Sequence, residues 1–231
     1  MTGDVDEALE RLKRGEIVLV FDADNREMET DMVVASEKVG PATIRTLRRD
    51  AGGLICTTVG AGISEKLGLP FLADVFSSAS DEYPVLSGLS PNDIPYDSKS
   101  SFSITINHRE TFTGVTDNDR ARTILELTRL IDQTPEESDG WARKAMGERF
   151  RAPGHVILLR ASPGLLDART GHTELSTAML EMGGMIPSAT ICEMMGDDGN
   201  ALSKRGAREY ADRHGLLFLE GREVIDFWKG K

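Results

Sequence analysis

The stretch EIVLVFDADNREMETDMVVA, residues 16–35, places two apolar runs on either side of an acidic turn. Residues 16–21 form the first run and predict a strand, and residues 32–35 form the second. A helical pattern at residues 5–14 comes before them. The opening order of helix, strand, turn and strand predicts a chain that mixes helices with a sheet.

Helical and strand patterns continue along the chain. Helices are predicted at residues 41–50, at 118–131 with Asp117 as the cap, at 174–182, at 204–213 and over the last residues; strands are predicted at 54–59, 101–107, 155–160 and 189–194. Residues 77–99 and 133–153 lack periodicity and are predicted as long loops. The strands do not alternate regularly with helices, so we expect an α+β fold. In it, a mixed β-sheet is layered with surrounding helices in one domain over residues 1–231.

The amino-acid composition limits the classes of protein to which the chain can belong. Hydrophobic residues make up 39% and charged residues 28%, which is typical of a soluble globular chain. Cys56 and Cys192 lie in apolar runs and are expected to be buried thiols in a reducing compartment. No run is apolar enough to span a bilayer, and residues 1–20 lack a signal-peptide pattern. A cytoplasmic protein without a membrane partner is therefore expected.

The net charge of −11 opposes the binding of nucleic acid and of phosphate alike. No nucleic-acid partner is therefore expected. A phosphorylated ligand would need a local basic site or a cation.

Three carboxylates alternate in the acidic turn. Glu27, Glu29 and Asp31 would point the same way in an extended chain, and such close charges need a cation or a proton among them. Hard oxygen ligands suit magnesium. A solvated acidic surface is the alternative, and on this segment alone it is the stronger one.

A second segment, DARTGHTE at residues 167–174, comes just before a helical pattern. Arg169 and Thr170 at the start of a helix would offer donors to a phosphate, and His172 would offer an imidazole to a cation. An ordinary helix cap with a surface histidine is the alternative. His155 and Glu193 stand at the ends of predicted strands, where titratable groups are often structural. Cys56 is either a reactive thiol or an inert buried residue, and most buried cysteines are inert.

Taken together, these segments resemble the 3,4-dihydroxy-2-butanone 4-phosphate synthase family. The matching pieces occur in the family's order: REMETD at 26–31, GLIC at 53–56, the strand from Phe102 followed by TGVTDNDR at 113–120, RAPGH at 151–155, RTGHTE at 169–174 and Glu193. The resemblance implies that Glu27 and His172 bind metal and that Arg26, Glu27 and Asp31 line the sugar site. Catalytic roles fall on His155, Glu193, Asp31 and Cys56, and substrate contacts also on Glu193 and the phosphate loop, Arg169, Thr170, Gly171, His172 and Thr173.

The same resemblance implies a reaction. The family converts D-ribulose 5-phosphate into L-3,4-dihydroxy-2-butanone 4-phosphate and formate for riboflavin synthesis, which is a lyase reaction. It implies two Mg²⁺ ions per site, with Mn²⁺ as a substitute, and a homodimer with active sites near the subunit interface.

Two other functions remain open at this point. Another metal-dependent sugar-phosphate isomerase or aldolase would use the same carboxylates and phosphate loop, and formate production would separate it from the family's reaction. A non-catalytic phosphate- or nucleic-acid-binding domain is the other alternative. The acidic balance and the lack of a basic stripe with aromatic residues argue against it.

Overall fold

The computed structural model describes residues 2–91 and 93–230. In chain order its helices and strands are α1 (Thr2–Lys13), β1 (Val18–Phe21), β2 (Thr30–Ala35), α2 (Pro41–Asp50), β3 (Cys56–Val59), α3 (Ala61–Leu67), α4 (Leu72–Ser78), α5 (Val85–Gly88), β4 (Phe102–His108), α6 (Asp117–Gln133), α7 (Asp139–Arg149), β5 (Phe150–Arg160), α8 (His172–Met182), β6 (Ala189–Glu193), α9 (Lys204–His214), β7 (Leu217–Glu220) and α10 (Gly221–Lys229).

The strands form one mixed sheet in the order β4-β5-β3-β6-β2-β1-β7. Strand β1 pairs antiparallel with β2 and parallel with β7, and β3 pairs parallel with β5 and antiparallel with β6. Both faces of the sheet are buried at β1 and β2, because all residues of these two strands are buried and successive side chains in a strand point to opposite faces. The predicted α+β fold, a mixed sheet layered with helices, is confirmed. The extent of the domain over residues 1–231 stays a prediction.

The two faces carry separate hydrophobic cores. Leu19 and Met32 belong to the core that includes residues of α2, α6, α7 and α9. Val20 and Val33, their neighbours in the chain, belong to the core that includes residues of α1, α8 and α10. The alternation in the opening stretch thus decides which side chains face α8.

Two local predictions are wrong. Residues 133–153 are not a loop, since they contain α7 and the start of β5. Asp117 does not cap α6: the cap is Thr116, whose hydroxyl accepts the backbone N–H of Asp119. Residues 77–99 are mainly irregular, but they include the end of α4 and the short helix α5.

Within residues 2–91 and 93–230, no helix has both the length and the apolar character needed to cross a membrane.

Candidate functional site

Three strands bring polar groups to the face of the sheet that α8 covers. Asp31 lies at the start of β2, on the same side as Val33, and directly opposite Glu193 of β6 in the antiparallel pair. Cys56, at the start of β3, lies opposite Ile191 of β6. The register of the sheet therefore gathers Asp31, Glu193 and Cys56 on one face.

Residues 22–29 form a turn rather than an extended chain. The carboxylate of Asp22 accepts the backbone N–H of Glu27 at 2.9 Å and of Glu29 at 3.1 Å. Met28 between them has φ of +59°, in the left-handed region that non-glycine residues seldom adopt. The expectation that Glu27, Glu29 and Asp31 converge through strand alternation is therefore wrong, because a turn held by Asp22 brings them together.

His172 is the first residue of α8 and is buried beneath this turn. Its Nδ1 lies 3.4 Å from Glu27 Oε2 and 3.6 Å from Asp31 Oδ1. Its Nε2 lies 3.2 Å from the carbonyl oxygen of Val20 in β1. The contact with Val20 orients the ring so that Nδ1 faces the carboxylates.

The donor set fits a divalent cation. One ligand atom each from Asp22, Glu27 and His172 lie within 4.8 Å of one another. Asp31 Oδ1 is buried in the same place without a hydrogen-bond donor, which is costly for a charged oxygen unless a cation or proton meets it. Carboxylate oxygens predominate, and they suit magnesium better than zinc.

The crowding of acidic groups perturbs their titration. Burial, together with the nearby carboxylates, raises the pKa of Asp31 to about 7. Burial also raises the pKa of Glu193 and of Glu29. Burial alone would lower the pKa of His172, but Asp31, Glu27 and Asp22 together raise it to about 9. The site therefore retains protons when no cation balances its charge.

The predicted phosphate loop is built around Arg169. Its Nη1 donates to Glu174 at 2.5 Å, and its Nε donates to Asp97. Glu174 is fully buried and also accepts the backbone N–H of Ser162 at 2.9 Å. A Cβ at Gly171 would lie 2.3 Å from Arg169 Nη1, so glycine leaves the room that the guanidinium occupies.

Two adjoining cavities open at this site. The first is lined by seven of the predicted residues, namely Glu27, Asp31, Cys56, Arg169, His172, Thr173 and Glu193. The second contains Arg26 and shares Glu27, Arg169 and Glu193 with the first. Eight of the predicted residues thus line two adjoining cavities, whereas Thr170, Gly171 and His155 line neither.

His155 lies outside both cavities. It is exposed on β5, where its backbone N–H donates to Asn107 Oδ1 at 2.8 Å and its Nδ1 lies 3.2 Å from Asn107 Nδ2. Its catalytic role stays a prediction. Cys56 does line the first cavity, but burial raises the pKa of its thiol. Cys56 is therefore a neutral thiol there rather than a thiolate.

The structure adds two residues that sequence reasoning missed. Asp22 follows the last residue of β1, and its position at a strand end was the available signal. Asp97 joins the site through Arg169 and also lies 3.6 Å from Arg26. It sits in an irregular segment, so no periodic pattern could have identified it.

Comparisons with known proteins agree on one family. The sequence model of 3,4-dihydroxy-2-butanone 4-phosphate synthase matches residues 6–227. A 3,4-dihydroxy-2-butanone 4-phosphate synthase of Methanothermobacter thermautotrophicus is 56% identical over 223 residues, covering 96% of this chain and 94% of that protein. The crystal structure of the Candida albicans synthase is 28% identical, with a TM-score of 0.73 and 96% of each chain covered. A synthase solved with two magnesium ions shares the fold at 24% identity, with a TM-score of 0.76, 98% of this chain and 97% of that chain covered. The chain therefore belongs to the 3,4-dihydroxy-2-butanone 4-phosphate synthase family.

Proposed function

We propose that this protein is a lyase that converts D-ribulose 5-phosphate into L-3,4-dihydroxy-2-butanone 4-phosphate and formate, in riboflavin biosynthesis. The observation that carries the proposal is the meeting of Glu27, Asp31, Glu193 and His172 beside Arg169, around one cavity. The carboxylates and the imidazole can hold and move protons, and the guanidinium can bind a phosphate. Membership of the family supports the same reaction.

The cation that we propose for this site is Mg²⁺, with two ions bound and Mn²⁺ as a substitute. Glu27 and His172 would hold it, because their ligand atoms lie close together with Asp22. Asp22 already accepts two backbone N–H groups, so its main role is to hold the turn that presents Glu27. A bound divalent ion polarises substrate oxygens and so favours loss of a proton from the adjacent carbon.

Asp31 and Glu193 are the groups that we assign to proton transfer. The substrate must be enolised, its carbon skeleton must rearrange, and its fourth carbon must leave as formate, so protons are removed and returned several times. Asp31 lines the cavity, and burial raises the pKa of this carboxyl group in the metal-free site, so it can hold a proton as well as release one. Glu193 lies directly opposite Asp31 in the β2–β6 pair and lines the same cavity. The Cys56 thiol borders the cavity as a neutral group.

We further propose that the protein acts as a homodimer in the cytoplasm, with His155 serving the site of a second copy. His155 is exposed and lines neither cavity, so it needs another chain to approach a substrate. Phe112 is 94% exposed near the same end of β5, where Arg151 Nη2 donates to its carbonyl oxygen. An apolar ring this exposed is suited to an interface between copies.

The reaction is tested by measuring formate and residual ribulose 5-phosphate with Mg²⁺ present. We expect equal amounts of formate released and sugar consumed, and no turnover when a chelator removes the metal. Glu27→Gln and His172→Ala are expected to lower kcat by about 100-fold or more. Asp24→Asn is the matched control: its side chain is 81% exposed on the same turn, and kcat should be unchanged. Consumption of the sugar without formate would favour an isomerase and contradict the proposal.

The dimer is tested by light scattering and by mixing two inactive variants. If each site combines Glu27 of one chain with His155 of the other, mixed Glu27→Gln and His155→Ala chains should regain about one quarter of the wild-type activity. A monomeric mass would contradict the dimer, and a mixture that stays inactive after subunit exchange would contradict the sharing of His155 between copies. The formate assay on the wild-type protein would be unaffected by either outcome.

A further inference from the structure

Arg169, the cation of the phosphate loop, donates from two of its three side-chain nitrogens to carboxylates of the protein itself. Nη1 donates to Glu174 and Nε donates to Asp97. The side chain of Arg169 is 15% exposed and borders both cavities. The guanidinium that would bind a phosphate is therefore already neutralised by Glu174 and Asp97.

Arg26 differs from Arg169, because two of its side-chain nitrogens have no hydrogen-bond acceptor. Its side chain is 9% exposed, and Nε and Nη2 are buried without a hydrogen bond. The carboxylates of Asp22, Glu27 and Asp97 lie 3.6–3.7 Å away, beyond hydrogen-bond distance. Arg26 borders the second cavity together with Asp97 and Arg169. A buried guanidinium with unused donors on a cavity wall indicates a site for an anion.

Of the carboxylates around the two arginines, Asp97 is the one that can leave. Glu174 is fully buried on α8 and also holds the Ser162 N–H, and Asp22 holds two N–H groups of the acidic turn. Asp97 accepts only the N–H of the next residue, Ser98, besides its arginine contacts. It lies in the irregular segment between α5 and β4, so its displacement breaks no helix or strand.

We propose that Asp97 is an internal competitor of the substrate's phosphate group. In the free protein its carboxylate occupies the Nε donor of Arg169 and lies 3.6 Å from Nη2 of Arg26. A bound phosphate takes the Nε donor of Arg169 together with the unused donors of Arg26, and it displaces Asp97 into the solvent. This inference rests on the proposed function, because it assigns the substrate's phosphate to this arginine pair.

The competition gives Asp97 a role in ligand selection. A carboxylate offers one negative charge, whereas a phosphate monoester offers about 1.5 to 2 negative charges and three acceptor oxygens. A phosphate can therefore displace Asp97, while a sugar acid of single charge gains little from the exchange. Asp97 thus selects phosphorylated sugars over sugar acids in a site whose arginines would otherwise bind either.

The test is the binding of inorganic phosphate to the Mg²⁺-loaded protein, measured by titration calorimetry. Asp97→Asn keeps the size of the side chain and removes the competing charge. We expect the Kd for phosphate to fall by about tenfold or more, and the KM for ribulose 5-phosphate to fall with it. Asp93→Asn, an exposed carboxylate of the same segment, removes the same charge away from the arginines and should leave both constants unchanged.

Phosphate affinity that is equal to or weaker than wild type in Asp97→Asn would overturn the inference, because Asp97 would then only hold the arginines in place. Asp97→Glu provides a second variant: it restores the charge and should return the Kd toward the wild-type value. Phosphate binding needs no turnover, so the two proposals can fail separately. If Asp97→Asn bound phosphate more tightly while the wild-type protein released no formate, Asp97 would be supported as the competitor and the proposed reaction would be refuted.

Discussion

Glu174→Gln changes a fully buried carboxylate that holds two donors at once. One oxygen accepts the backbone N–H of Ser162 at 2.9 Å, and the other accepts Arg169 Nη1 at 2.5 Å. Glutamine has nearly the same shape but only one acceptor oxygen, and its amide group is a donor. One of the two buried donors must therefore lose its partner.

Losing a hydrogen bond that involves a charged group costs about 1.5–3 kcal/mol. In a chain of 231 residues, each kcal/mol lowers Tm by about 2–4 °C, so we expect a decrease of about 3–12 °C. Differential scanning calorimetry of the Mg²⁺-loaded protein measures it. Glu181→Gln is the matched control, since Glu181 is exposed near the end of the same helix and its variant should melt with the wild type. An unchanged Tm in Glu174→Gln, or an equal decrease in both variants, would refute the reasoning.

Three further predictions concern other parts of the chain. Gly154→Ala should abolish soluble expression, since its Cβ would lie 1.9 Å from the backbone carbonyl carbon of Ile106; Gly62→Ala, with nothing within 4 Å, should express normally, and equal yields would contradict this. Cys56 should resist iodoacetamide in the folded protein and react in urea, because burial raises the pKa of its thiol; mass spectrometry showing modification of the folded protein would be the contrary result. Burial lowers the pKa of His108, so the unfolded chain binds the proton more tightly than the folded protein does. The free energy of unfolding should therefore fall as the pH drops through about 6.5, by less than about 1.4 kcal/mol per pH unit. Urea titrations above and below that pH should show a smaller decrease in His108→Gln, and an identical decrease would refute the role of His108.

Elements with strong local signals could be predicted from the sequence. The pattern at residues 41–50 predicts α2 with its observed bounds, because Pro41 suits the first turn and Ile44 and Leu47 form a buried stripe. Helix α7 could not be predicted in this way. Its buried residues are Ala142, Ala145 and Met146, and two alanines give little hydrophobic contrast along the helix.

In the candidate site, too, some residues could be predicted from sequence motifs and others could not. Glu27 and His172 stand in ordered motifs, and their side chains do meet, although 145 residues separate them. The route by which they meet could not be predicted, because it depends on the left-handed Met28 and on backbone donors that converge on Asp22. Residues such as Asp97, 72 positions from Arg169, have their role fixed only by the packing of the whole chain.

Helix α8 has no side that faces water over its first nine residues, His172–Leu180. It packs against β2, β3 and β6 on one side and against α1 and α10 on the other. Its polar side chains form hydrogen bonds inside the protein: Ser176 donates to the His172 carbonyl, and Thr177 donates to the Thr173 carbonyl and lies 2.9 Å from the hydroxyl of Thr58. A close-packed helix of this kind cannot shift or rotate to follow a reacting sugar. We therefore expect movement during turnover in the irregular segment that carries Asp97, while α8 stays in place beside it.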